Sequence, residues 1–140
     1  MRFMVLVIAP QESEAAPPPK SEAFVAMQAY NEKAIKAGVL LAAEGLTPTS
    51  KGTRVRFSGS KRTVVDGPFT ETKELVAGFW LIQVTSKEEA IEWAKRIPNP
   101  DGVDAEIEIR QVFEPEDFGA EFTPELREQE RRLRAEVASR

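Results

Sequence analysis

The 140-residue sequence predicts one α+β domain in which two helices cover a single face of a four-stranded sheet. Three observations predict it. The elements run strand, helix, strand, hairpin, strand, helix, strand. Two of the strands, residues 3–8 and 79–84, are apolar at nearly every position, as strands buried on both faces are. The final strand, over residues 105–110, alternates apolar with charged residues, which gives it one wet face.

Phe3-Met4-Val5-Leu6-Val7-Ile8 is the first strand, and Pro10 stops it. Residues 11–20 form a polar loop stiffened by Pro17-Pro18-Pro19. Ser21 is placed to cap a helix over residues 22–37, with Glu22 in its first turn. Phe24, Met27, Ala34 and Ile35 are expected to face the core, and Gly38 sits where a left-handed C-terminal cap belongs. Residues 39–44 form the second strand, ended by Gly45 and Pro48. Residues 53–57 and 62–65 pair as a hairpin around Ser58-Gly59-Ser60. Asp66-Gly67-Pro68-Phe69 is a dense turn signal. After the strand at 79–84, Ser86-Lys87-Glu88-Glu89 fits a capping box. The helix that follows aligns Ala90, Trp93, Ala94 and Ile97, and Pro98 and Pro100 end it. Ala105, Ile107 and Ile109 alternate with charges in the last strand. Pro124 then opens a C-terminal helix.

Without the hairpin, this order is two βαβ-like halves, the ferredoxin-like arrangement. Two helices leave the second face of the sheet bare, yet two strands are apolar on both faces. A second copy, packed sheet against sheet, is the expected cover. The domain is expected over residues 1–115, with a helical extension over 116–140. The extension's thin apolar stripe of Phe122, Leu126 and Leu133 should lie on its own domain or across the dimer.

Composition narrows the chemistry. There is no Cys and no His, which removes thiolate chemistry, the commonest metal ligand and the usual neutral-pH base. Proton transfer falls to Asp, Glu, Lys or Tyr30. A net charge of −4 argues against nucleic acid, and the basic cluster of Arg54, Arg56, Lys61 and Arg62 reads as the solvated edge of a hairpin. No apolar run is long enough to span a membrane. The cytoplasm is the expected location. Trp80, Trp93 and Phe79 read first as core and second as the lining of a pocket. No Asp-x-Asp spacing supports a hard cation, and no Gly-rich phosphate loop is present. No metal and no organic cofactor is therefore expected.

Several strings stand together in this chain: Leu40-Leu41-Ala42-Ala43-Glu44-Gly45-Leu46, Asp66-Gly67-Pro68-Phe69-Thr70-Glu71-Thr72-Lys73-Glu74, Gly78-Phe79-Trp80-Leu81-Ile82 and Ala90-Ile91-Glu92-Trp93-Ala94. Over about residues 1–113 the sequence resembles the DGPF branch of the YCII-related proteins. The resemblance implies a dimeric ferredoxin-like α+β barrel with a cleft in which an acid is suspected of catalysis. In other branches that suspicion rests on a His–Asp pair, which a chain without His cannot supply. Members of the branch often lie beside genes for alternative sigma factors.

Two readings of the motif stay open. In one it is only a rigid turn: Asp66 makes an Asx-turn, Gly67 takes a positive φ, Pro68 fixes the next φ and Phe69 anchors the loop. In the other it holds Asp66, Glu71, Lys73 and Glu74 at the mouth of a cleft, where close acids can divide into an acid and a base. Glu44 ends an apolar strand and is either partly buried, which favours a neutral carboxyl, or wet at the sheet rim. Asp66, Glu44 and Glu71 are thus the candidate catalytic residues, and Lys73, Glu74 and Phe69 the candidate binding residues. The function expected is binding of a small molecule in a dimer-associated cleft, with cofactor-free acid–base catalysis by carboxylates. The alternative is a non-catalytic regulatory or protein-interaction module linked to transcription control.

Overall fold

The computed structural model describes residues 1–140, the side chain of Gln11 excepted. The elements are β1 (Arg2–Pro10), α1 (Ser21–Lys36), β2 (Leu40–Gly45), β3 (Thr53–Ser58), β4 (Lys61–Asp66), β5 (Glu74–Gln83), α2 (Lys87–Lys95), β6 (Glu106–Gln111) and α3 (Pro124–Ala138). Four strands form an antiparallel sheet in the order β2-β5-β1-β6, and β3-β4 is a separate hairpin. The central pair is β1-β5, the two strands whose sequences are apolar on both faces. This α+β order is compatible with the ferredoxin-like arrangement. Among the described residues, no helix is long and apolar enough to cross a membrane.

One face of the sheet is the core. Phe3, Val5, Trp80, Ile82 and Val84 are buried there with Tyr30 of α1 and Ala90 of α2. Both helices therefore lie on the same face and touch each other. The Tyr30 hydroxyl donates to the Trp93 carbonyl at 2.8 Å, and its ring packs edge-on to Trp80 and Trp93. Burial pushes the Tyr30 phenol up to about 12, with the Arg96 charge opposing. The other face carries Met4, Leu6, Leu81 and Phe79, all half-buried. Register puts Leu6 between Phe79 and Glu108, and Met4 between Leu81 and Arg110.

Several local expectations change. α1 is capped by the backbone at Lys20 and not by the Ser21 side chain, because the helix begins one residue earlier. Its buried face is Met27, Tyr30 and Ala34; Phe24 in the first turn and Ile35, one position off that face, are exposed. Gly38 does take the left-handed conformation, at φ 72°. At α2 the Ser86 hydroxyl accepts from the Glu89 N–H, but the Glu89 carboxylate reaches Thr85 instead of closing a reciprocal box. Its two bonds from Thr85 hold that carboxyl below its ordinary value.

The C-terminal segment is tied down at its start. Phe113 stacks on Phe118, which meets Phe122 edge-on, and Glu114 accepts from Arg2 Nε at 2.7 Å and Nη2 at 3.2 Å. Beyond Phe122 the expected docking on its own domain is not made. Leu126, Leu133 and Val137 of α3 are exposed, since the charges around them pair along the helix itself.

The Arg2 hydrogen bond holds the Glu114 carboxyl below its ordinary value of 4.5. A depressed carboxyl contributes stability that is complete above the unfolded value and is lost as pH falls through the folded one. The difference in Tm between the wild type and Glu114→Gln is therefore expected to be widest above pH 4.5 and to close below it. A difference that stays constant through the acid range would show that the pair contributes nothing.

Candidate functional site

The cleft beneath α1 begins with small residues. Ala43 of β2 lies opposite Trp80 of β5, and Gly45 lies opposite Gly78. A Cβ at Gly78 would stand 3.0 Å from the Glu44 carbonyl oxygen, so glycine lets the edge strand lie close while leaving space above it. The result is a cleft of about 450 Å³ between the sheet and α1. Val7, Met27, Ala43 and Trp80 make it apolar, and Asn31 supplies its polar side chain; Glu44 borders it, but its side chain shares the open face of the sheet with Phe79, its partner in the ladder. Size and lining both suit a small organic molecule.

Asn31 has a fixed orientation. The Trp80 indole N–H, which can only donate, gives its hydrogen bond to Asn31 Oδ1 at 2.9 Å. The amide oxygen must therefore face the indole, and the amide nitrogen remains available as a donor. Glu44 is exposed, so of its two expected settings the structure shows the wet rim. Among the described residues no other ionisable residue borders the cleft.

The Asp-Gly-Pro-Phe turn is built differently from expectation. The Asp66 carboxylate accepts from the Thr53 hydroxyl at 3.0 Å across the hairpin. Gly67 is not among the glycines with positive φ. Glycine is needed there because a Cβ would collide with the carbonyl of Thr49. The Gly67–Pro68 peptide is cis. Thr49 is itself clamped, its N–H and hydroxyl each donating to the Glu14 carboxylate at 2.6 Å, while its hydroxyl accepts from the Phe69 N–H at 3.3 Å. Phe69 is buried as the anchor it was expected to be, and the Arg54 guanidinium lies 3.8 Å from its ring centroid.

The candidate residues thus fall into three places. Glu44 stands at the rim of the cleft under α1, with its side chain on the open face of the sheet beside Phe79. Asp66 and Glu71 belong to the turn and hairpin, Glu71 lying 3.5 Å from Arg54. Lys73 is exposed beside them, and Glu74 lines a separate groove with Asp104 and Glu106. Asp66 is not part of the Glu44 cleft. Among the described residues, no group of three or more Asp or Glu is placed to hold a metal ion. Asn31, Glu14 and Thr49 are additions that the sequence reading does not contain. Asn31 stands four residues after Met27, on the same helical face, and that spacing was the signal available for it.

A model of the YCII-related domain matches residues 1–115. An uncharacterized protein of Rhizobium meliloti (strain 1021) is 36% identical over 86 residues, which is 61% of this chain and 69% of that protein. The match spans the sheet, both core helices, the hairpin and the cleft, and on it the chain belongs to the YCII-related family.

Proposed function

We propose that this protein binds a small, largely apolar molecule in the cleft beneath α1, as a homodimer of the DGPF branch packed sheet against sheet. One observation carries the ligand reading: an apolar cleft of about 450 Å³ holds a single polar side chain, the Asn31 amide, whose orientation is locked by Trp80. The free Asn31 amide nitrogen would take an acceptor on the ligand. Binding comes before catalysis in this reading, since no carboxylate among the described residues that border the cleft points into it to transfer a proton. Asp66, Glu71 and Phe69 then act as the frame that fixes the hairpin.

The dimer reading is supported by the sheet face that α1 and α2 do not cover, with Met4, Leu6, Leu81 and Phe79 half-buried on it. Fully burying such a side chain is worth roughly 1.5–3 kcal/mol.

The test is a thermal-shift screen of small metabolites against three proteins: wild type, Ala43→Trp and Glu44→Gln. Compounds that raise the wild-type Tm are expected to lose their effect in Ala43→Trp, which fills the cleft. Glu44→Gln, whose side chain is on the open face of the sheet, is the control and should leave their effect unchanged. Compounds that stabilise all three equally would place binding elsewhere.

A further inference from the structure

The hairpin β3–β4 carries an apolar face that its own chain leaves open. Val55 and Val64 are directly opposite one another, and Phe57 is opposite Arg62. Directly opposed residues point to the same side of a ladder. Val55, Val64 and Phe57 are 50%, 65% and 68% exposed. Arg62 shares that side, its guanidinium 4.2 Å from the Phe57 ring centroid, while Arg56 and Lys61 stand on the reverse side; none of the three forms an ion pair among the described residues. The chain is acidic overall, so this is a local island of positive charge.

A groove of about 510 Å³ has the complementary character. Ile8, Pro10 and Val103 give it an apolar floor and wall, and Glu74, Asp104 and Glu106 make it acidic. Val103 is 61% exposed. None of the three acids has an ion-pair partner among the described residues.

The sheet relates the two features. β2 runs out at Gly45, at the end where β1 finishes and β5 and β6 begin, as the pairs Gly45–Gly78, Pro10–Glu74 and Ile8–Glu106 show. The chain continues from β2 into the hairpin, so the hairpin leaves from that end on the β2 edge. The groove lies at the same end on the β6 edge. The edges are opposite, so one chain does not join them. A second copy facing the open sheet does. A two-fold axis along the strands sets the β2 edge of each copy against the β6 edge of the other with the same ends together, and each hairpin then meets its partner's groove.

We propose that in the dimer the β3–β4 hairpin of each copy, through Phe57, Val55 and Val64 with Arg62, docks in the acidic groove of Val103, Asp104 and Glu106 on the other. The inference rests on the sheet-to-sheet dimer and adds its symmetry and a reciprocal arm. Opposite charges on the two surfaces favour this register and disfavour hairpin against hairpin.

Photocrosslinking tests it. Phe57 is replaced by p-benzoylphenylalanine; its exposure in the single chain means that the substitution leaves the domain's own packing intact. Irradiation of the full chain, after its mass has been measured by light scattering, is expected to give a covalent dimer. The crosslinked peptide should contain residues 99–106 of the other copy, and the yield should fall severalfold in high salt. A monomer in solution overturns both this proposal and the sheet dimer. A dimer whose position 57 crosslinks to nothing, or to residues 113–126 at the opposite end of the sheet, overturns this proposal and leaves the dimer standing.

Discussion

Gly67→Ala should release the hairpin and its turn from the domain. The added methyl would collide with the Thr49 carbonyl, which is backbone and is itself held by two hydrogen bonds to Glu14. Neither side can yield without losing those bonds or the Gly67 N–H bond to the Gly52 carbonyl at 2.9 Å. Forced overpacking of this kind costs about 3 kcal/mol. The damage is local, because Phe69 and Leu75 are buried apart from the main cluster of Phe3, Val5, Trp80 and Ile82. Amide exchange in β3, β4 and residues 66–72 is therefore expected to speed up by roughly 100-fold, while that of β1 and β5 changes little. Gly59→Ala is the control. Gly59 takes φ 61° in an open turn, so the substitution there carries only the left-handed penalty of about 1–2 kcal/mol. Equal exchange rates in the wild type and Gly67→Ala would show that the turn is held by something other than the Thr49 contact.

Leu6→Asp is expected to dissociate the proposed dimer. Leu6 is at the centre of the open face, opposite Phe79 on one side and Glu108 on the other. In the single chain it is half-buried and faces away from the core, so an aspartate there is tolerated by the fold. In a sheet-to-sheet dimer the same carboxylate is buried without a partner and beside another acid. Leaving a charge unpaired in an interface costs about 3 kcal/mol or more, so the dissociation constant should rise by at least about 100-fold. Sedimentation at micromolar concentration reads this directly, and Tm extrapolated to low protein concentration serves as the folding check. An unchanged dimer mass would remove this face from the interface.

Much of the fold was legible because it depends on local periodicity. Two-sided apolar strands at residues 3–8 and 79–84 became the central pair β1-β5, and the one-sided strand became the edge β6. Gly38, Pro124 and Thr123 mark helix ends by rules that act over one turn of chain; the Thr123 hydroxyl accepts from the Leu126 N–H at 3.3 Å. The candidate site was less legible, because its parts meet only through the fold. That Gly67 would need to clear Thr49, 18 residues before it, is a tertiary fact; the sequence could suggest only a special backbone. Asn31 gained meaning when Trp80 arrived opposite it to fix its amide. Glu44 was placed at the end of β2, but which face its side chain joins depended on its pairing with Phe79, after the register irregularity between Leu40 and Ala42. The C-terminal helix has a stripe too thin to signal its partner, and its exposed Leu126 and Leu133 show that its own domain does not supply one.

The central claim is that the cleft under α1 is the ligand site. Chemical-shift mapping with a compound found in the thermal screen tests it most directly. The Trp80 indole N–H and the Asn31 side-chain amide each give a distinct nitrogen–proton signal, and they share one hydrogen bond at the cleft wall. Both signals, together with the Ala43 amide, are predicted to shift in a saturable way as the compound is added, while residues 66–72 stay still. Saturable shifts confined to residues 66–74, with Trp80 and Asn31 unmoved, would contradict the account and return the function to the Asp-Gly-Pro-Phe turn.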